Sequence, residues 1–192
     1  MNAAMLSRLD QHVRNFFGGH TITEHIFAKG PTKQLIPDFK VLCSHPSGDF
    51  NFYTYLSIGC SLIEHKDGRR LEFLATSPSY DEVWTELLTM VAYYHSTEWL
   101  ELGHTFPVGH RLLRDSTCDH MLVSLPYPFG PDLEVCCLDD VHVHFLWLLP
   151  ITASEKRFRH EHGLEALEEK FDAQEIDYLD MQRPPVVHDA AK

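Results

Sequence analysis

Fourteen histidines and five cysteines in 192 residues make metal ligation the first chemistry to test. His142 and His144 stand two apart in an apolar run, VHVHFLWLL. Residues two apart on a strand share a face, so both imidazoles can reach one ion, which is the beginning of a metal-dependent hydrolase. His160 and His162 follow in a helical stretch, and His104 and His110 flank a loop. The companions such a centre needs are missing, since there is no HExxH, no CxxC and no DxD-type carboxylate cluster. Val141, Val143 and Phe145 make the opposite face apolar, so the competing reading has His142 and His144 lining a partly solvated strand face. There they hydrogen-bond to neighbours.

The other routes to catalysis are thinner still. Cys136 and Cys137 are adjacent, which is poor geometry for a disulfide and unlike a redox pair. On a strand they point to opposite faces, one thiol toward the core and one toward the surface. Cys43, Cys60 and Cys118 complete an odd count without a regular framework, so reduced thiols are expected. No serine occupies a GxSxG elbow and no glycine-rich loop joins a strand to a helix. Nothing poses a nucleophile beside a base. The expectation is no catalytic residue, no metal and no cofactor.

Charge points elsewhere. Sixteen Lys and Arg against 28 Asp and Glu leave a formal net charge of −12. Such a surface repels phosphate backbones, which argues against nucleic-acid binding, and steers the approach of a basic protein. The carboxylates best placed to meet one are Asp139 and Asp140, before the long strand, and Glu165, Glu168 and Glu169. With Asp172 and Glu175 these last three decorate the outer face of a helix. The bland alternative is an acidic surface that serves solubility alone.

The elements that carry these residues can be read in order. Met5, Leu6, Leu9, Val13, Phe16 and Phe17 fall at helical spacing, with Gly18–Gly19 as the stop. Segments 21–27 and 39–43 have strand-like content. The run 50–63 is long and aromatic, with Gly59 inside it marking a bulge or close backbone approach. Lys66-Asp67-Gly68 signals a turn into a returning strand over 71–76. A helix of about fifteen residues starts near Asp81 and carries the stripe Trp84, Leu87, Leu88 and Val91. Residues 97–117 look loose, 121–125 return to strand, and 126–131 form a Pro- and Gly-rich loop. A short strand over 133–138 leads into the long one at 141–149, which Pro150 should end. Thr152 and Glu155 stand at capping-box spacing for the next helix, and Gly163 breaks it from a second with the stripe Leu164, Leu167 and Phe171. Hairpins with helices at intervals predict an α+β fold, an α/β sandwich whose mixed, largely antiparallel sheet carries helices packed on it. One domain is expected over 1–192, with a loose tail over 184–192.

No apolar run approaches the roughly 18 residues that span a bilayer, and the N-terminus lacks a basic region followed by an apolar one. The cytoplasm is therefore the expected compartment.

The run LWLLPITASEKRFRHEHGLEALEEKF, followed by DMQR at Asp180 to Arg183, resembles the end of the suppressor of fused domain. FNFYTYLSIGCSLIE, RRLEFLATSPSYDEVWTELLTMVAYY, LGHTFPVG and HMLVSLPYPFG resemble earlier blocks of that family in the same order. The resemblance covers about residues 20–187. It implies an α/β sandwich with protein-binding roles and no catalytic residues to carry over. Animal relatives add a second domain and sequester zinc-finger transcription factors of the hedgehog pathway; that role is not implied for a chain of this length. Short bacterial relatives are similar to immunity proteins, which bind and neutralise a toxin, often a nuclease. The resemblance thus implies a toxin as partner; the acidic balance suits a basic one, and occlusion of its active cleft is the expected mechanism. A general interaction or sequestering module is the alternative, and a homo-oligomer through a sheet edge is left open.

Overall fold

The computed structural model describes residues 2–65, 67–108, 116–139 and 141–187. In chain order the elements are α1 (Asn2–Phe16), β1 (Ile22–Ile26), α2 (Pro31–Leu35), β2 (Lys40–Ser44) and β3 (Tyr53–Ile58). A 3-10 turn (Cys60–Leu62), β4 (Arg70–Ser77), α3 (Val83–Glu98), β5 (Thr105–Pro107) and β6 (His120–Ser124) follow. The chain continues with α4 (Pro131–Glu134), β7 (Val135–Leu138), β8 (Val141–Ile151), α5 (Ala153–His162) and α6 (Leu164–Ala173). This is an α+β protein with a mostly antiparallel sheet, as the alternation of hairpins and helices implied. The β1–β2, β2–β3, β3–β4, β5–β6 and β7–β8 pairs are antiparallel, and β4–β8 is parallel.

The chain divides into two compact units, Met1–Leu102 with Leu125–Trp147, and Gly103–Ser124 with Leu148–Lys192. In the first unit the strand order is β1-β2-β3-β4-β8, with β7 also on β8. Glu72 of β4 is in register with Phe145 of β8, and Phe73 with Leu146. Phe145 stacks on His12 of α1, whereas the Phe73 ring meets His95 of α3 edge-on. Successive strand residues point to opposite faces, so α1 and α3 cover the two sides of this sheet. Nearly every position of β2, β3 and β4 is buried, as a sheet covered on both faces requires. Phe16, Phe17, Phe50, Phe52 and Phe129 form an aromatic cluster beneath α1.

In the second unit the C-terminal end of β8 neighbours β6, and β6 carries β5. Helices α5 and α6 follow. Thr152 and Glu155 form the expected capping box, and Gly163, at φ 93°, separates the two helices. Leu167 and Phe171 are the buried residues of α6.

Several local details are set by the structure. Within the run 50–63, β3 stops at Ile58, where Gly59 at φ 129° turns the chain into the 3-10 turn. The long strand does not stop at Pro150. It reaches Ile151, whose carbonyl accepts from the Asp119 N–H at 3.1 Å, so this end of the ladder does not call on the N–H that proline lacks. Part of the stretch expected to be loose holds β5, and the loop before β7 holds the one-turn helix α4, opened by Pro131. Residues 184–187 are tied down at Val186, which is buried, while 188–192 lie outside the described residues.

Candidate functional site

Buried polar side chains are where a site would declare itself, and the first unit holds a conspicuous one. Glu72 is fully buried, with five donors on its carboxylate. One oxygen accepts from the Gly59 N–H (2.8 Å), the Ser61 N–H (3.1 Å) and the Ser61 hydroxyl (2.7 Å). The other accepts from the Ser57 hydroxyl (2.5 Å) and the Cys60 N–H (3.2 Å). Three successive N–H groups turned one way by a glycine make an anion-binding nest, here filled by the chain's own side chain. Burial outweighs the bonds from Ser57, Gly59 and Ser61 that pull the other way, and leaves the Glu72 carboxyl above its ordinary value. With both oxygens saturated, Glu72 has no lone pair oriented to take a substrate proton. It anchors the turn.

The second unit buries an ion pair. Glu155, the capping-box carboxylate, takes two parallel bonds from Arg183, Nη1 to Oε1 at 2.6 Å and Nη2 to Oε2 at 2.9 Å. It also accepts the Thr152 and Val186 N–H groups. Arg183 donates to the Pro150 carbonyl and lies over the Phe171 ring, 5.3 Å from its centroid. Burial alone would raise the Glu155 carboxyl, but the guanidinium and the two N–H groups hold it below its ordinary value. Arg183 belongs to the DMQR run; its role as the counter-ion of a helix cap is legible only in three dimensions. This pair too is fully engaged in structure.

The four buried thiols are not tuned for attack. Burial pushes Cys43 up to about 11 and raises Cys60, Cys118 and Cys136, so these four stay protonated at neutral pH and are weak nucleophiles. Cys136 is buried and Cys137 exposed, the opposed orientation expected of neighbours on a strand. His95 is buried, its Nδ1 accepting the Leu100 N–H at 3.1 Å, and burial lowers it to about 4. Its ring lies tilted against that of Trp99, which also meets His65. With Nδ1 as acceptor, the neutral ring carries its proton on Nε2.

The sequence-predicted ligands are scattered. His142 is exposed and His144 half-buried on β8, while His160 and His162 lie on α5. His104 precedes β5, and His110 lies outside the described residues. Among the described residues no group of three His, Cys, Asp or Glu side chains is placed to hold a metal ion. The candidate partner-binding carboxylates divide between the units. Asp139, at φ 52° between β7 and β8, is 83% exposed and pairs with Arg8 at 2.6 Å. Asp140 is outside the described residues. Glu165 and Glu169 are exposed on α6, and Glu168 is half-buried, accepting the Ser124 hydroxyl at 2.8 Å. No described helix is long and apolar enough to cross a membrane.

Fold and polar interior together define an α+β protein whose buried carboxylates are spent on its own backbone. The suppressor of fused protein family model matches residues 37–184, most of the chain. The chain belongs to the suppressor of fused family. A crystallised putative suppressor of fused homolog from Neisseria gonorrhoeae superposes with a TM-score of 0.85 at 33% identity, over 96% of this chain and 97% of that one. Fold alone is shared with the Sufu–Fu complex (TM-score 0.66, 14% identity, 96% of this chain and 91% of that one). The same holds for Drosophila Suppressor of Fused (TM-score 0.59, 13% identity), of which half the length is covered. A curated relative, Immunity protein YqcF of Bacillus subtilis, is 25% identical over 121 residues, 62% of this chain and 63% of that protein. The match thus spans less than two thirds of that relative's length.

Proposed function

We propose that this chain is a non-catalytic protein-binding domain that works as a bacterial immunity protein in the cytoplasm, neutralising a cognate toxin by covering its active cleft. The observation that carries the reading is the similarity to Immunity protein YqcF within the suppressor of fused family. Two physical features support it. The buried carboxylates Glu72 and Glu155 are saturated by internal donors, and the four buried thiols are held protonated, so the interior is built for rigidity. The net charge of −12 favours a basic partner, a description that fits nucleases, by speeding encounter and opposing nucleic acid at the same surface.

Asp139, Asp140, Glu165, Glu168 and Glu169 are the proposed acidic contacts. Among the described ones, Glu165 and Glu169 are the freest, because Asp139 already meets Arg8 and Glu168 holds Ser124. Glu165→Lys/Glu169→Lys is expected to weaken toxin binding and to flatten its dependence on salt. Unchanged affinity and salt slope would remove these residues from the interface. The function itself is tested by co-expressing the chain with the product of an adjacent gene and scoring growth. Rescue supports the reading, and toxicity that persists with both proteins folded rejects it.

A second reading keeps the fold and changes the partner: a general sequestering module, favoured by the complex with Fu that a fold neighbour forms. Copurification with a non-toxic protein, without rescue of any neighbouring toxin, would select it.

A further inference from the structure

Helix α3 has two apolar faces where the fold needs one. Trp84, Leu87, Leu88, Val91, Ala92 and His95 recur at helical spacing and are buried against the sheet, which satisfies the core. Met90, Tyr93 and Tyr94 lie outside that stripe and remain 47%, 43% and 45% exposed. At i, i+3 and i+4 they are neighbours on the helix surface, so they merge into one patch of a few hundred Å². Single exposed apolar residues need no explanation, but three contiguous ones with no role in the core do.

The charged residues of the helix that carries this patch have one sign. Glu82, Glu86 and Glu98 are exposed along the same helix, and Val83–Glu98 contains no lysine or arginine. Beside it, α2 is held by the Thr32 hydroxyl on the Thr89 carbonyl and adds exposed Leu35 and half-buried Lys33. Tyrosine and methionine are enriched at protein interfaces. Tyrosine offers large amphipathic area with few rotatable bonds, and methionine adapts its shape.

We infer that the outer face of α3, Met90, Tyr93 and Tyr94 framed by Glu86 and Glu98, is the docking surface for a protein partner with an apolar centre and a lysine- or arginine-rich rim. The inference rests on the reading of this chain as a protein-binding domain and assigns the apolar contact to a different element from the α6 carboxylates.

The test uses two probes on the full chain. A dye-labelled 14-residue amphipathic helix of leucine and lysine is titrated by fluorescence anisotropy, with its leucine–glutamate counterpart as control. The lysine peptide is expected to bind the wild-type chain and to lose at least tenfold in affinity on Met90→Ser/Tyr93→Ser/Tyr94→Ser. On Glu86→Lys/Glu98→Lys it loses severalfold, and on Glu165→Lys/Glu169→Lys it is unmoved. All three positions of the first variant are exposed; circular dichroism and melting confirm folding, and the charge variant tests the surface independently. Failure of the lysine peptide to bind, equal binding of the glutamate peptide, or equal binding to the triple-serine variant overturns the inference. A toxin found by co-expression supplies the second probe. If the triple-serine variant neutralises it as well as wild type, the α3 surface fails and the immunity reading stands. If no toxin is found while the peptide pattern holds, the immunity reading fails and the surface stands.

Discussion

Arg183 and Glu155 are an ion pair that water scarcely reaches, so removing one partner strands a charge. Arg183→Met is expected to cost about 3–5 kcal/mol in urea unfolding. Replacing both, Glu155→Gln with Arg183→Met, should cost less than the sum of the single changes; simple additivity would deny that the two act as one unit. Glu155 sits below its ordinary carboxyl value when folded, so its contribution is present above about 4.5 and is lost as pH falls through the folded value. His95 acts in the same direction higher on the scale. Its folded value is lowered to about 4 from 6.5, so stability is complete above 6.5 and drains between 6.5 and 4, by a total of about 3 kcal/mol. Urea midpoints at pH 7 and 4.5 should therefore differ more for wild type than for His95→Phe, and an equal fall in both would contradict the assignment. The capping box was legible, because Thr and Glu three apart before a helix have few other uses. Glu72 was not. Between Leu71 and Phe73 its alternation reads as an outward strand position, and only the Gly59–Ser61 nest, eleven or more residues away, makes its burial affordable.

Elements announced by periodicity or by a breaker were readable, and those created by pairing were not. Helices α1, α3, α5 and α6 follow from apolar stripes and from Gly163, and β1, β2, β4 and β6 lie within a residue or two of their expected spans. β5 was missed because its three residues carry no alternation of their own and become a strand only by pairing with β6. At Gly59 the expected close approach is real: a Cβ there would stand 3.1 Å from the Phe39 Cα and 3.2 Å from Ile36 Cγ2, at φ 129°. Gly59→Ala should lose about 1–3 kcal/mol from strain, read as a lower urea midpoint with unchanged slope, and wild-type stability would refute the constraint. Thr152→Ala should cost about 1 kcal/mol by removing the acceptor for the Glu155 N–H. The exposed half of α3 was hidden for the opposite reason. The stripe Trp84, Leu87, Leu88 and Val91 leaves Tyr93 and Tyr94 unassigned, and only packing shows that they stay exposed.

Across the whole molecule, two kinds of observation meet. Net charge is a property of the sequence and was available from it, but it names no partner; family membership does more, and collinear blocks along the chain carried it. The proposed immunity function adds a claim about stoichiometry that neither fold nor charge contains. An occluding partner is consumed one for one, whereas an enzyme acting on a toxin is not. The long-range attraction should also fade when salt shortens the Debye length, slowing association more than it speeds dissociation. The most direct measurement mixes a fixed amount of the cognate toxin with increasing amounts of this chain and assays residual toxin activity after fixed and prolonged incubation. The account predicts a linear fall that ends at a fixed whole-number ratio, set by the complex, and that does not deepen with time. Complete neutralisation by a small fraction of an equivalent, progressing as incubation lengthens, would show turnover and contradict it.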